Sequence, residues 1–142
     1  MPTLTDALAA SRSALTAERV RIEAAVSNLA NAETTQGPDG QPYRRRDVVL
    51  TTDSGETFDA VLGRTGAVGV KVAAVTEDQT PSRRVFEPSH PDADAEGFVS
   101  LPNVNPSEEM VDMLGAARAY QANLTAVSLI RDMVQRALEI GR

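Results

Sequence analysis

The chain contains no cysteine and no tryptophan, and its aromatic residues stop at Tyr43, Phe58, Phe86, Phe98 and Tyr120. Without cysteine there is neither a disulfide framework nor a thiolate metal site. Aromatic side chains give the largest single burials in a core, roughly 150–250 Å² each. A core short of them is built from Ala, Val, Leu, Ile and Met, which favours slender helix pairs and thin sheets over a thick globule. Lysine is scarce as well, Lys71 being the only one, and the net charge is −6. That balance argues against nucleic acid, because phosphate binding relies on clustered basic residues. No run approaches the roughly 20 apolar residues that cross a bilayer. The start, Met1-Pro2-Thr3-Leu4-Thr5-Asp6, lacks the basic-then-apolar order of a cleaved signal peptide. The expectation is a soluble chain without direct membrane insertion, for which any role outside the cytoplasm requires another export route.

What is present divides the 142 residues into helix, β-rich middle and helix. Residues 3–32 are rich in alanine, with no glycine and no internal proline. Thr3 followed by Asp6 offers an N-terminal cap and an acid in the first turn. Leu8, Leu15, Ile22 and Leu29 recur every seven residues, joined by Leu4 and Val26. Such a repeat lays an apolar stripe along a helix and favours a left-handed supercoil with a partner. At 1.5 Å per residue this helix is on the order of 40 Å long. The second helix opens with Asn105-Pro106-Ser107-Glu108, a cap, a proline at the first helical position and an acid three residues after the cap. Met110, Met113, Ala117, Tyr120, Leu124, Val127, Val134 and Leu138 then follow steps of three and four, interrupted only at Arg131. Gly141 stands where helices often end.

Residues 33–104 hold every internal proline except Pro106 and every glycine except Gly115 and Gly141. Gln36-Gly37-Pro38-Asp39-Gly40 is a turn cluster. Short β-branched runs follow at Val48–Thr52, Thr57–Leu62, Val68–Val75, Arg84–Phe86 and Phe98–Leu101, each bounded by Gly, Pro, Asp or Ser. Most of the net negative charge falls in residues 36–103, where eleven acids face seven bases. The predicted fold is α+β: two long terminal helices paired as an antiparallel coiled coil, with a small β-rich domain inserted between them. The segments are 1–35, 36–103 and 104–142.

Pairing does not satisfy these helices. The second carries Leu114, Leu129, Ile130, Met133 and Ile140 off its main stripe, and the first is lined with alanine almost all round. A two-helix hairpin covers about one face of each helix, so apolar surface stays exposed. Patches above a few hundred Å² usually mark interaction sites. Non-closing contacts between unlike surfaces generate a helical filament. The plainer reading, an isolated globule with the helices packed on the β module, leaves that surface unexplained.

Ser27-Asn28-Leu29-Ala30-Asn31-Ala32-Glu33-Thr34 resembles the S-N-L-A-N-x-x-T motif near the N-terminus of flagellar axial proteins, the rod, hook and hook-associated proteins. Val104-Asn105-Pro106-Ser107-Glu108-Glu109-Met110-Val111-Asp112-Met113 resembles their V-N-x-x-E-E-M-V-x-M motif, and Arg118 to Asn123 continue as R-x-Y-x-x-N. In the middle, Pro42-Tyr43-Arg44-Arg45 and the stretch from Glu87 to Val99 resemble the proximal-rod branch of that family, as does the ending Ala137 to Arg142. Ser107 departs from the apolar residue often found there. The resemblance implies a structural subunit of the periplasmic rod that leaves the cell through the flagellar type III export apparatus, without a cleaved signal. Terminal helices would form a coiled-coil inner layer, and the rod would transmit torque. Implied partners are further copies of itself, other rod proteins, the adaptor joining the rod to the MS ring and the export apparatus.

The expected assembly interface comprises Leu8, Leu15, Ile22, Asn28, Leu29 and Asn31 on the first helix. On the second it comprises Met110, Met113, Leu114, Ala117, Tyr120, Asn123, Leu124, Val127, Ile130, Val134 and Leu138. Asn28 and Asn31 either fix register between neighbouring subunits or mark a helix exit. Tyr120 and Asn123 either join a network with a neighbour or are ordinary interfacial residues. Asp92-x-Asp94-x-Glu96-Gly97, beside His90, looks like half a calcium loop, but Asn103 stands where a bidentate Glu would close it. A turn leading into the strand at Phe98 fits better. The glycines of Gly63-Arg64-Thr65-Gly66-Ala67-Val68-Gly69 lack a Lys-Ser/Thr pair and read as a turn. Arg44-Arg45-Arg46 reads as pairing with acidic neighbours, on this chain or an adjacent one.

One histidine, no cysteine and no nucleophile elbow leave little for catalysis, which needs groups held at hydrogen-bond reach in a cleft. No catalytic residue, cofactor or metal site is expected. The alternative to a filament subunit is a soluble coiled-coil adaptor or export chaperone of a secretion apparatus. A small hydrolase using the acidic loop is a distant third.

Overall fold

In the computed structural model, residues 4–53 and 68–140 are described. The first helix, α1 (Leu4–Ala30), begins with Asp6 in its first turn, where a carboxylate complements the positive end of the helix dipole. It ends at an asparagine. Asn31 donates from its backbone N to the Ser27 carbonyl at 3.1 Å and from its side-chain Nδ2 to the same oxygen at 2.8 Å. Thr34 Oγ1 then bonds Asn31 Oδ1 at 3.3 Å. The Ser27 carbonyl in the last turn thus accepts twice, from the backbone and the side chain of Asn31.

Four strands follow among the described residues: β1 (Arg46–Asp53), β2 (Gly69–Glu77), β3 (Arg83–Phe86) and β4 (Phe98–Leu101). They form two small sheets, β1 with β2 and β3 with β4. The second pair is antiparallel, with Arg83 opposite Leu101 and Phe86 opposite Phe98. The last helix, α2 (Pro106–Ile140), starts as expected, Ser107 N donating to Asn105 Oδ1 at 3.1 Å. The α+β class and all four strands agree with the sequence reading. The run Thr57–Leu62, the turn at residues 63–67, the cap at Thr3 and the stop at Gly141 lie outside the described residues.

Packing resolves two compact units, which cut across the three sequence segments. One takes the described parts of Met1–Val20, Val49–Ala74 and Gly115–Arg142. In it, Ser13 Oγ donates to the Ala10 carbonyl at 2.7 Å and accepts from Val70 N at 3.0 Å, tying β2 to α1. Gly69 makes that approach possible, because a Cβ there would lie 2.9 Å from Ser13 Oγ. Ala17 and Ala116 are its buried apolar residues.

The other unit comprises Arg21–Val48 and Val75–Leu114. Its buried apolar residues are Ala25, Ala32, Val99 and Val104, with Pro102 beside them. The loop from β3 to β4 is held by Asp94, whose Oδ1 accepts from Glu96 N at 3.0 Å and Phe98 N at 2.9 Å. Arg84 bonds Asp94 Oδ2 at 2.5 Å and lies over the Phe98 ring, 4.8 Å from its centroid. Phe86 meets Phe98 edge to face at 5.3 Å, an arrangement worth about 0.5–1.5 kcal/mol beyond burial. Gly97, at φ +84°, supplies the left-handed backbone before the strand.

Candidate functional site

Two features stand out, a polar knot and an apolar exterior. The knot centres on Asn28, which is 1% exposed. Its Nδ2 donates to the Arg46 carbonyl at 2.8 Å and to Glu109 Oε2 at 2.9 Å. Its Oδ1 accepts from Arg46 N at 2.8 Å and from Tyr43 Oη at 2.9 Å. An asparagine amide offers two donors and two lone pairs, and all four are used. With the Tyr43 proton spent on Asn28, the Ser27 hydroxyl, 3.2 Å away, is the donor to Tyr43.

Glu109 is 2% exposed, a carboxylate taken out of water. Such a charge is tolerable only when paired and bonded. Arg45 Nε binds its Oε1 at 2.5 Å, Asn28 holds Oε2, and the N-terminal turn of α2 adds its favourable dipole. Hydrogen bonding to Glu109 raises the Arg45 pKa above its ordinary value despite partial burial. Asp112 Oδ2 lies 3.6 Å from Arg45 Nη2, and the Arg45 backbone N donates to Asn103 Oδ1 at 3.2 Å. The acidic partners of Arg45 are therefore on its own chain. Arg44 bonds Gln79 Oε1, and Arg46 lies over the Tyr43 ring.

This places several expected interface residues. Asn28 faces inward with every polar atom committed within the chain. Asn31 caps its own helix. Asn123 Nδ2 bonds the Ala119 carbonyl one turn earlier at 2.9 Å. Leu8, Leu15, Ile22 and Leu29 are half-buried, as are Met113, Tyr120, Val127, Ile130 and Val134. Met110, Leu114, Ala117, Leu124 and Leu138 are exposed.

The stripe of α2 that packs differs from the expected one at alternate positions. Shielded residues run Glu109, Met113, Ala116, Tyr120, Asn123, Val127, Ile130 and Val134. Ala116 is buried in place of Ala117, and Ile130 takes the position at which Arg131 had broken the pattern. That break was the signal in the sequence that the neighbouring phase faces inward. Sequence reasoning also missed Glu109 and Tyr43, because their partners lie far away along the chain.

Outside lies a large apolar surplus. Among the described residues the buried hydrophobic positions are four alanines and two valines. The exposed large ones include Leu4, Val26, Phe86, Met110, Val111, Leu114, Leu124, Leu129, Met133 and Leu138. In the first unit, Leu8 and Leu15 of α1 and Leu124 and Val127 of α2 line an open groove, with Arg12 and Arg131 also at its wall.

No group of three or more His, Cys, Asp or Glu is placed to hold a metal among the described residues. The calcium-like segment is a turn. Asp94 spends its carboxylate on backbone N–H groups and Arg84, and Asp92 accepts from Thr35 Oγ1 at 2.6 Å. The bond from Phe98 N, helped by Arg84 and Glu96 N, lowers the Asp94 pKa. No described helix is long and apolar enough to cross a membrane.

Comparison with known proteins gives a consistent picture. Residues 95–140 match the family described as flagellar basal body rod FlgEFG protein C-terminal. The flagellar basal-body rod protein FlgC of Bacillus subtilis is 46% identical, the match covering 93% of this chain and 94% of that one. The protein of the same name from Salmonella typhimurium is 45% identical, over 92% of each chain. That of Borreliella burgdorferi is 40% identical, over 89% of this chain and 90% of its own.

Proposed function

The chain belongs to the FlgC family of flagellar basal-body rod proteins, and from this premise we propose that it polymerises through its terminal helices into the proximal part of the rod. Its role is structural, with no catalysis. There it serves as one layer of the drive shaft that carries torque from motor to hook.

One observation carries the reading: among the described residues, larger apolar side chains are left exposed than are fully buried. A monomer whose fully buried apolar residues are alanines and valines, with Leu, Met and Phe half-buried or exposed, gains further hydrophobic stabilisation when other chains cover it. The two helices pair as an antiparallel coiled-coil stalk of residues 1–35 and 104–142, and within each unit taken by itself residues of both helices lie together, which supports the pairing. In one, Leu8 and Leu15 share a groove with Leu124 and Val127; in the other, Asn28 bonds Glu109. Residues 36–103 are then the β-rich domain carried by that stalk. The partners are further copies, other rod proteins, the adaptor at the MS ring and the type III export apparatus, which passes the chain without a cleaved signal. Neither nucleic acid nor direct insertion into a membrane has a part in this reading.

A deletion strain tests it. Cells lacking the chain should be non-motile, with basal bodies that stop before the rod, and the plasmid-borne chain should restore both. Complete rods in the deletion strain sink the proposal. A soluble adaptor or export chaperone, the competing role, would instead leave a stable dimer in solution and no copy within purified basal bodies.

A further inference from the structure

The groove on the first unit has apolar walls from Leu8, Leu15, Leu124 and Val127, and the guanidinium-bearing residues Arg12 and Arg131 stand beside them. Leu124 is about half exposed, and neither arginine has an acidic partner among the described residues. An apolar trough with two uncompensated positive charges fits an occupant that is apolar on one side and acidic beside it. The first turns of α2 have that composition. Met110, Val111 and Leu114 are all about half exposed or more, and Glu108 and Asp112 lie one turn apart beside them. Asp112 is still half exposed although Arg45 lies 3.6 Å from it. Glu108 has no basic partner among the described residues.

The same chain cannot bring these two surfaces together. Leu114 and Leu124 stand on one continuous helix, ten positions and about 15 Å apart along its axis, and Val111 and Val127 are farther still. We infer that the groove receives the Glu108–Leu114 segment of a second copy. Two different surfaces meet in such a contact, so it repeats from copy to copy without closing on itself. The inference rests on the assembly reading above and adds to it which face meets which.

The chain has no cysteine, so an introduced pair reports cleanly. Val111→Cys and Leu124→Cys are placed together in the only copy carried by a deletion strain, and whole cells are oxidised. The expected result is a ladder of disulfide-linked dimers and higher adducts, absent from either single variant. Adding Arg12→Glu and Arg131→Glu should lower the adduct yield about tenfold, the groove's charges then repelling the acidic segment. Motile cells yielding only monomer overturn the inference while leaving the assembly role intact, and so does a Leu124→Cys adduct with a different protein. A second pair, Leu8→Cys with Leu114→Cys, covers the case in which the first variant builds no rod; no adduct from it counts against the contact equally. Complete rods in cells lacking the chain defeat the assembly reading itself.

Discussion

The amide nitrogen of Asn28 lies 2.9 Å from the carboxylate of Glu109, although 81 positions of sequence separate them. The bond joins the S-N-L-A-N stretch of α1 to the E-E-M stretch of α2, the two most distinctive motifs of the chain. Both residues are almost wholly out of water.

Asn28→Leu keeps the branched side-chain skeleton and removes the amide. The backbone N and carbonyl of Arg46, the Tyr43 hydroxyl and Glu109 then lose partners in a buried place. Unfolding in urea should show a loss of about 3 kcal/mol. A change below half of that would mean the knot is wet and replaceable.

Arg45→Met strands the Glu109 charge with one neutral donor. Breaking a buried pair from one side costs about 3 kcal/mol, somewhat less here because Arg45 keeps partial contact with water. Adding Glu109→Gln removes the charge while retaining an acceptor for Asn28. The double variant should therefore be more stable than Arg45→Met alone, and the reverse order would refute the account.

Asp94 and Asp78 both titrate below the ordinary carboxylate range. Asp94 is held chiefly by Phe98 N, and Asp78 by the Thr80 hydroxyl and backbone N. A folded pKa below the unfolded value means the stabilisation is full above about pH 4 and fades as pH falls through the folded pKa. The amide resonances of Phe98 and Thr80 should shift in that acidic window and stay constant from pH 5 to 8 by roughly the same reasoning. Movement of either near neutrality would contradict it.

Two glycines should respond in opposite directions to alanine. At Gly97, φ is +84° and a new Cβ would meet Phe86 Cε2 at 3.0 Å and Pro88 Cβ at 3.2 Å. Gly97→Ala should cost about 1–3 kcal/mol. Gly115 lies inside α2 with nothing within 4 Å of a new Cβ. Gly115→Ala should add about 0.5–1 kcal/mol through helix propensity. Melting curves of the two variants settle the comparison.

Local chemistry was readable from the residues alone. The cap at Asn105, the proline after it and the β-branched runs bounded by turn formers lie where the helix and strands do. The facing of α2 was harder, because its apolar residues form overlapping sets of three-and-four steps. Periodicity then fits two phases, and only packing chooses between them. Here Ala116 and Glu109 go inside while Met110 and Leu114 stay out, although hydrophobicity ranks them the other way. The same holds for Arg45: three consecutive arginines announce a need for acids, but only the fold supplies Glu109.

The alanines inside this molecule have a mechanical consequence. Each contributes about one methyl group, roughly 0.8 kcal/mol, so few side chains resist when a solitary copy is pulled apart. In the assembly proposed above, the larger apolar side chains are covered by neighbouring copies, so cohesion accrues between copies more than within one.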